Sequence, residues 1–181
     1  MIKKVSSVIC VVLLLSCEKQ EVNDTFPNAR QLVLFQVEYI NYAWGFSHSG
    51  FLIDSSGVVS LFKYPGDWHH PDSAGYISIS DMEDNIRQLD TITFKINKNE
   101  LLKNFSMLEN ISKGELIKPP YRAYDAGTTN FSGFLFDTNK QQYKHVLIKR
   151  IGDCPLENNS PEAEEVFHWL IGVCITKPLT K

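Results

Sequence analysis

The chain has 181 residues, with 18 lysines and arginines against 21 aspartates and glutamates and a formal charge of −3. A composition of 43% hydrophobic, 12% aromatic and 22% charged residues is that of a folded domain, and it excludes a disordered tail, a collagen, a polytopic membrane protein and a small disulfide scaffold. The slightly acidic balance also excludes nucleic acid as an expected partner, because polyanion binders usually carry a basic patch.

Lys3 and Lys4 make a positive start, and Val5 to Leu15 is apolar apart from Ser6 and Ser7. Crossing a bilayer core takes about 20 apolar residues, so this stretch is too short to span; its layout is that of a secretory signal. It ends in Leu14-Leu15-Ser16-Cys17, which resembles the lipobox of bacterial lipoproteins: an aliphatic residue, a variable residue, a small residue and the cysteine that is modified. The resemblance implies cleavage after Ser16 and lipidation of Cys17 by palmitate-type acyl chains, so membrane lipid is the first expected partner. With more than one chain attached, and each buried CH₂ contributing about 0.8 kcal/mol, such an anchor is strong. In that family an Asp after the cysteine often retains the protein at the inner membrane. Glu18 is not that signal, so the expected location is the cell envelope, lipid-anchored at the outer membrane.

The organisation expected is therefore a lipoprotein signal over residues 1–16, a lipidated cysteine and polar tether over 17–30, and one globular domain over 31–181. Removing the signal removes Lys3 and Lys4 and moves the charge to −5.

Leu32 to Tyr42 is the strongest predicted strand: Val33, Phe35, Val37 and Tyr39 share one face at a period of two, with Gln36 and Glu38 on the other. Phe51 to Ile53 and Val58 to Tyr64 are two more apolar runs joined by the turn Asp54-Ser55-Ser56-Gly57. A loop rich in Pro, Gly, Asp and His runs from Tyr64 to Gly75. Ser80 and Glu83 match a capping box, followed by Met82, Ile86 and Leu89 at helical spacing. Ile92, Phe94 and Ile96 alternate as a short strand. Asn97, with Glu100 three residues on, starts a second helix that runs toward Gly114. Gly133 to Asp137 and Tyr143 to Ile151 make a further hairpin. Ser160-Pro161-Glu162 opens a third helix, lined by Val166, Phe167, Leu170 and Ile171. The fold class predicted is α+β: a mainly antiparallel sheet built from two hairpins, with about three helices packed on one face.

The chain also echoes itself. Tyr39-x-x-Tyr42-x-x-Gly45 precedes Ser49-Gly50-Phe51-Leu52-Ile53-Asp54, and Tyr121-x-x-Tyr124-x-x-Gly127 precedes Ser132-Gly133-Phe134-Leu135-Phe136-Asp137. Two readings stand: a duplication whose Tyr/Gly loops face each other across a shared site, or two hairpins that independently use good strand and turn residues.

Cys10 leaves with the signal and Cys17 is taken by lipid. Cys154 and Cys174 remain in an exported domain, where paired thiols are the rule, so a disulfide is expected between them. The usual catalytic signatures are absent: no Gly-x-Ser-x-Gly, no His-Glu-x-x-His, no phosphate loop and no dinucleotide fingerprint. No cofactor or metal is implied. Asp67-Trp68-His69-His70-Pro71-Asp72 is the densest polar cluster, but adjacent His side chains diverge and lack the spacing of a metal motif; it reads as a solvated loop. His145 and His168 read as structural, and Lys144, Lys149 and Arg150 as a solvated, edge-protecting face.

The candidate ligand-binding residues are Trp44, His48, Tyr64, Trp68, His69, His70, Tyr121, Tyr124 and Asp125, because aromatic faces beside polar groups suit sugars, peptides and other small molecules. The reading is a non-catalytic envelope lipoprotein that binds a small molecule, a glycan or an envelope protein through its aromatic loops. The alternative is a small envelope hydrolase using a His48/Asp125 acid–base pair. A third possibility is an inhibitor or assembly factor acting through a sheet edge.

Overall fold

The computed structural model describes residues 29–121 and 123–176; the predicted signal, Cys17 and all but the end of the tether lie outside them. The strands are β1 (Val33–Asn41), β2 (Ser47–Asp54), β3 (Val58–Lys63), β4 (Tyr76–Ser78), β5 (Thr91–Lys95), β6 (Leu116–Ile117), β7 (Thr128–Asp137), β8 (Gln142–Gly152) and β9 (Leu156–Asn158). The helices are α1 (Ile79–Arg87), α2 (Lys98–Ser106), α3 (Leu108–Ile111) and α4 (Pro161–Thr176). None of these helices is long and apolar enough to cross a membrane.

All nine strands join one antiparallel sheet in the order β5-β3-β2-β1-β7-β8-β9-β6, with β4 paired to the far edge of β8. The central strand is β1. Its alternation places Phe35 and Val37 in the larger core with Phe51, Ile53, Phe131 and Ile148, and this face is covered by Leu101 and Phe105 of α2, Leu108 and Ile111 of α3, and Val166 and Leu170 of α4. The other face holds a smaller core, where Leu52, Phe134 and Tyr143 pack against Ile77 and against Met82 of α1. The predicted α+β class, the antiparallel sheet and a helix layer on one face are all present; α1 is added on the opposite face.

Local chemistry explains the boundaries. In the β2–β3 turn, Asp54 Oδ1 accepts the Ser56 and Val58 backbone N–H groups at 2.8 and 2.9 Å. In the β7–β8 turn, Asp137 Oδ1 accepts those of Asn139 and Lys140 at 2.9 and 3.1 Å. Both are Asx turns. Helix α1 is capped by Ser78, whose Oγ accepts the Asp81 N–H at 3.1 Å, two residues before the predicted cap Ser80. Asn97 caps α2 as predicted. The single helix expected toward Gly114 is interrupted at Met107, which separates α2 from α3.

The internal echo takes a definite geometric form. Strands β2 and β7 flank β1, both antiparallel to it, and so run parallel to each other. Gly50 stands opposite Glu38, and Gly133 stands opposite Phe35. Those positions of β1 lie on opposite faces of the sheet. A half-turn about β1 exchanges faces in this way, carrying one hairpin onto the other. It also brings the two Tyr/Gly loops to the same end of the sheet.

Candidate functional site

At that end β2 and β7 begin, while β1, β3 and β8 finish. The residues after β1 (Tyr42, Trp44, Phe46), after β3 (Tyr64), before β7 (Tyr121, Tyr124, Asp125) and after β8 (Asp153, Cys154) therefore gather there. Trp44 is 82% exposed and Tyr124 79% exposed. Trp44 is nonetheless held, its Nε1 donating to the Asp125 carbonyl at 3.1 Å; beside it Tyr39 Oη donates to the Ala126 carbonyl at 3.3 Å, and the Tyr42 and Phe46 rings lie 5.4 Å apart. Gly127 sits at a φ of 71°, where a Cβ would lie 2.8 Å from the Ile40 carbonyl oxygen; only glycine fits so close an approach to β1. The Ala126 and Gly127 N–H groups donate to the Asp153 carboxylate at 3.3 and 3.2 Å, which ties the second Tyr/Gly loop to the end of β8.

Behind this rim, the smaller-core face of the sheet carries a polar stripe. The row Gly50, Glu38, Asn130 and Arg150 crosses from β2 through β1 and β7 to β8. Glu38 is 6% and His48 3% exposed, and their Oε1 and Nε2 atoms meet at 2.8 Å. His70, arriving from the 64–75 loop, brings Nδ1 to 3.7 Å from the same Glu38 oxygen and stacks on His48 at 5.9 Å. Trp68 roofs the group, edge-on to His48 at 5.7 Å and stacked on Phe62 at 4.1 Å. Phe62 can lie there because Gly50 has no Cβ: one would stand 2.6 Å from the Phe62 ring. His145 Nε2 lies 2.8 Å from Ser132 Oγ. Burial pushes the His145 imidazole down to about 4, opposed by the Glu38 charge and helped by Arg150 and His70. Between sheet and loop remains a cavity of about 320 Å³ lined by Glu38, His70, Asn130, His145 and Arg150.

Arg150 reaches this face through a β-bulge. Asn130 and Phe131 pair with Arg150 and Lys149, but Ser132 already pairs with Leu147, so β8 carries one extra residue. The bulge reverses the alternation of the strand beyond it. Lys149 turns to the helix face, 3.2 Å from Glu164 of α4 and 3.3 Å from Glu157. Arg150 turns to the polar face, where its Nε donates to Asn130 Oδ1 at 2.8 Å. The solvated basic strip predicted for Lys149 and Arg150 is thus divided between two faces. Arg150 also lines two depressions of the aromatic end, one of about 550 Å³ with Tyr121, Tyr124 and Asp153 and one of about 530 Å³ with Tyr42 and Asn130.

The predicted site residues divide accordingly. Trp44, Tyr64, Tyr121, Tyr124 and Asp125 share the rim, while His48, Trp68 and His70 build the polar cavity and its roof. His69 diverges from His70 as expected and faces α1, with Nδ1 at 3.7 Å from Asp81 and Nε2 at 3.7 Å from Asp84. The donor atoms of these three residues lie within 4.8 Å of one another, the only trio of that kind among the described residues, and Arg87 already pairs with Asp84. Two predictions are corrected. The carboxylate on His48 is Glu38, because β1 and β2 are neighbours in the sheet; Asp125 instead offers its carbonyl to Trp44, and no His48/Asp125 couple forms. Cys154 and Cys174 are both free: Cys154 is exposed on the turn after β8, while Cys174 is half-buried on α4 against the larger core, where burial pushes its thiol up to about 11.

Glu38, Asn130, Ser132 and Arg150 are not among the site residues the sequence predicts, and His145 reads from sequence as structural. The available signal was the pair of polar residues on the second face of so apolar a strand as β1. No protein-family model matches the chain, and neither the curated proteins nor the solved structures contain a match to it.

Proposed function

We propose that the protein is a glycan-binding module held at the cell envelope through a lipidated Cys17, with the aromatic end as the binding face. The observation that carries this reading is the exposure of Trp44 and Tyr124 at one end of the sheet, with Trp44 fixed in place. Large aromatic rings left about four-fifths bare, yet anchored by Trp44 Nε1 to the Asp125 carbonyl, give up apolar surface that folding would otherwise bury. Such rings present flat faces to the C–H faces of sugars, and the neighbouring polar groups satisfy hydroxyls. The direction of β1 supports the same reading. Its nine residues separate Val33 from the aromatic end by about 30 Å, so the rings stand at the end of the sheet opposite the one where the described chain enters β1. The alternative hydrolase loses the pair on which it was based.

The test is binding of the full chain to immobilised envelope and plant polysaccharides, compared with Trp44→Ala and Tyr124→Ala. Each substitution is expected to weaken binding by about fivefold, in line with about 1 kcal/mol per aromatic contact, with little change in thermal stability. Equal binding by wild type and both variants, or no binding to any polysaccharide, refutes the reading. For the anchor, Cys17→Ala should release the protein from the membrane fraction; continued partition with membranes would overturn that part.

A further inference from the structure

We infer that the cleft selects acidic sugars, with Arg150 as the residue that binds their carboxylate; this rests on the glycan reading above and names its ligand class. Arg150 is half-buried at the junction of the polar cavity and both depressions of the aromatic end. Its Nε is used by Asn130, and among the described residues no carboxylate lies within ion-pair distance of it. Of the acids that line these cavities, Asp125 shares the larger depression with Arg150 and offers its carbonyl to Trp44, and two others are already engaged. Glu38 is held by His48 at 2.8 Å, and Asp153 accepts the Ala126 and Gly127 N–H groups. Lys149, one residue earlier, has two carboxylate partners.

A guanidinium partly withdrawn from water without a counter-charge is costly, and a bound anion would offset that cost. With Nε occupied, the two terminal nitrogens remain as a planar fork. That fork matches the two oxygens of a carboxylate. A hexuronate carries its carboxylate directly on the pyranose ring, so an oxyanion on Arg150 leaves the ring over Tyr121 and Tyr124, which line the same depression. Lys118 lines that depression as well, and with Arg150 it balances the carboxylates of Asp125 and Asp153 in the same lining.

The experiment is calorimetric titration of the full chain with oligomers of galacturonate, glucuronate and mannuronate, with their carboxyl-reduced counterparts, and with sulfated dextran. At least one uronate series should bind about tenfold or more tighter than its reduced counterpart, the range expected for one charged hydrogen-bonding partner, and weaken as salt rises. Arg150→Gln should abolish that preference, so that acidic oligomers bind no tighter than their reduced counterparts. Arg150→Lys should keep a part of it, and both variants should melt like wild type. Equal affinity for acidic and reduced oligomers, or a preference that survives in Arg150→Gln, overturns the inference and leaves the glycan reading standing. Sulfated dextran binding as tightly as the uronates through Arg150 would show that charge alone is read, which also overturns it. Binding to neither acidic nor neutral oligomers removes the inference and the reading together.

Discussion

His145 offers a measurable consequence of the polar stripe being roofed over. Its ring lies against Ser132 Oγ at 2.8 Å, and burial holds the imidazole neutral down to about pH 4 where an unburied histidine titrates near 6.5. In the unfolded chain the ring takes up its proton as pH falls through 6.5, whereas the folded protein resists until about 4. The unfolded state therefore binds more protons across that window, and stability is complete above pH 6.5 and lost progressively between 6.5 and 4. The interval corresponds to about 3 kcal/mol at its full extent. His145→Gln removes the titration while leaving an amide that can still bond to Ser132. Urea denaturation of both proteins at intervals from pH 7.5 to pH 4 isolates the effect, because all other groups titrate in both. The stability advantage of wild type over His145→Gln should shrink by about 3 kcal/mol from the top of this range to the bottom. A constant gap across the range, or an NMR titration of His145 centred near 6.5, refutes the reasoning.

Three further outcomes follow from the packing. Glu38→Ala leaves the buried His48 without its 2.8 Å partner and should cost about 2 kcal/mol in urea denaturation at pH 7, with Glu38→Gln costing less because an amide can still bond to the ring; equal stability of wild type and Glu38→Ala would show that the pair does not hold the stripe together. Gly50→Ala sets a methyl 2.1 Å from the Val37 carbonyl oxygen and 2.6 Å from the Phe62 ring, so it should destabilise by about 2 to 3 kcal/mol and shift the fluorescence of Trp68, which stacks on Phe62; an unchanged melting temperature and spectrum would contradict the close approach. Thiol labelling at pH 8 should modify Cys154 at once and Cys174 only on unfolding, since one is exposed and the other is half-buried with its thiol pushed up to about 11; a native protein that takes up no label would mean the two are paired after all.

How far the sequence carried depended on whether an answer lay within one strand or between strands. The alternation of Phe35 and Val37 in β1, the Asx turns at Asp54 and Asp137, the Asn97 cap and Pro161 at the start of α4 are local rules, and each was legible. The echo went further: two Tyr/Gly segments leading into similar hairpins placed Trp44 and Tyr124 at one end of the sheet, because both hairpins flank the same central strand. The polar half of the site was not legible, for two physical reasons. Gln36 and Glu38 have the spacing of a solvated face, and nothing local says that Trp68 and His70, thirty residues later, fold back to roof it; only the missing Cβ of Gly50, which admits Phe62 beneath Trp68, makes that closure possible. Arg150 depends on a bulge near Ile148. A single extra residue reverses every later side chain of β8, so strict alternation sends Lys149 to the polar face and Arg150 to the helices, the opposite of what occurs. The same bulge gives Lys149 its contacts with α4 and leaves Arg150, among the described residues, without a carboxylate partner at the junction of the three depressions. Deleting the extra residue, Ile148, should therefore regularise the ladder without moving either side chain: Lys149 stays opposite Phe131 on the helix face and Arg150 opposite Asn130 on the polar face, so uronate preference should persist while stability falls through loss of Ile148 from the larger core. An Ile148 deletion variant that loses the ligand preference while remaining folded would show that the pairing with Asn130 does not set the aim of Arg150.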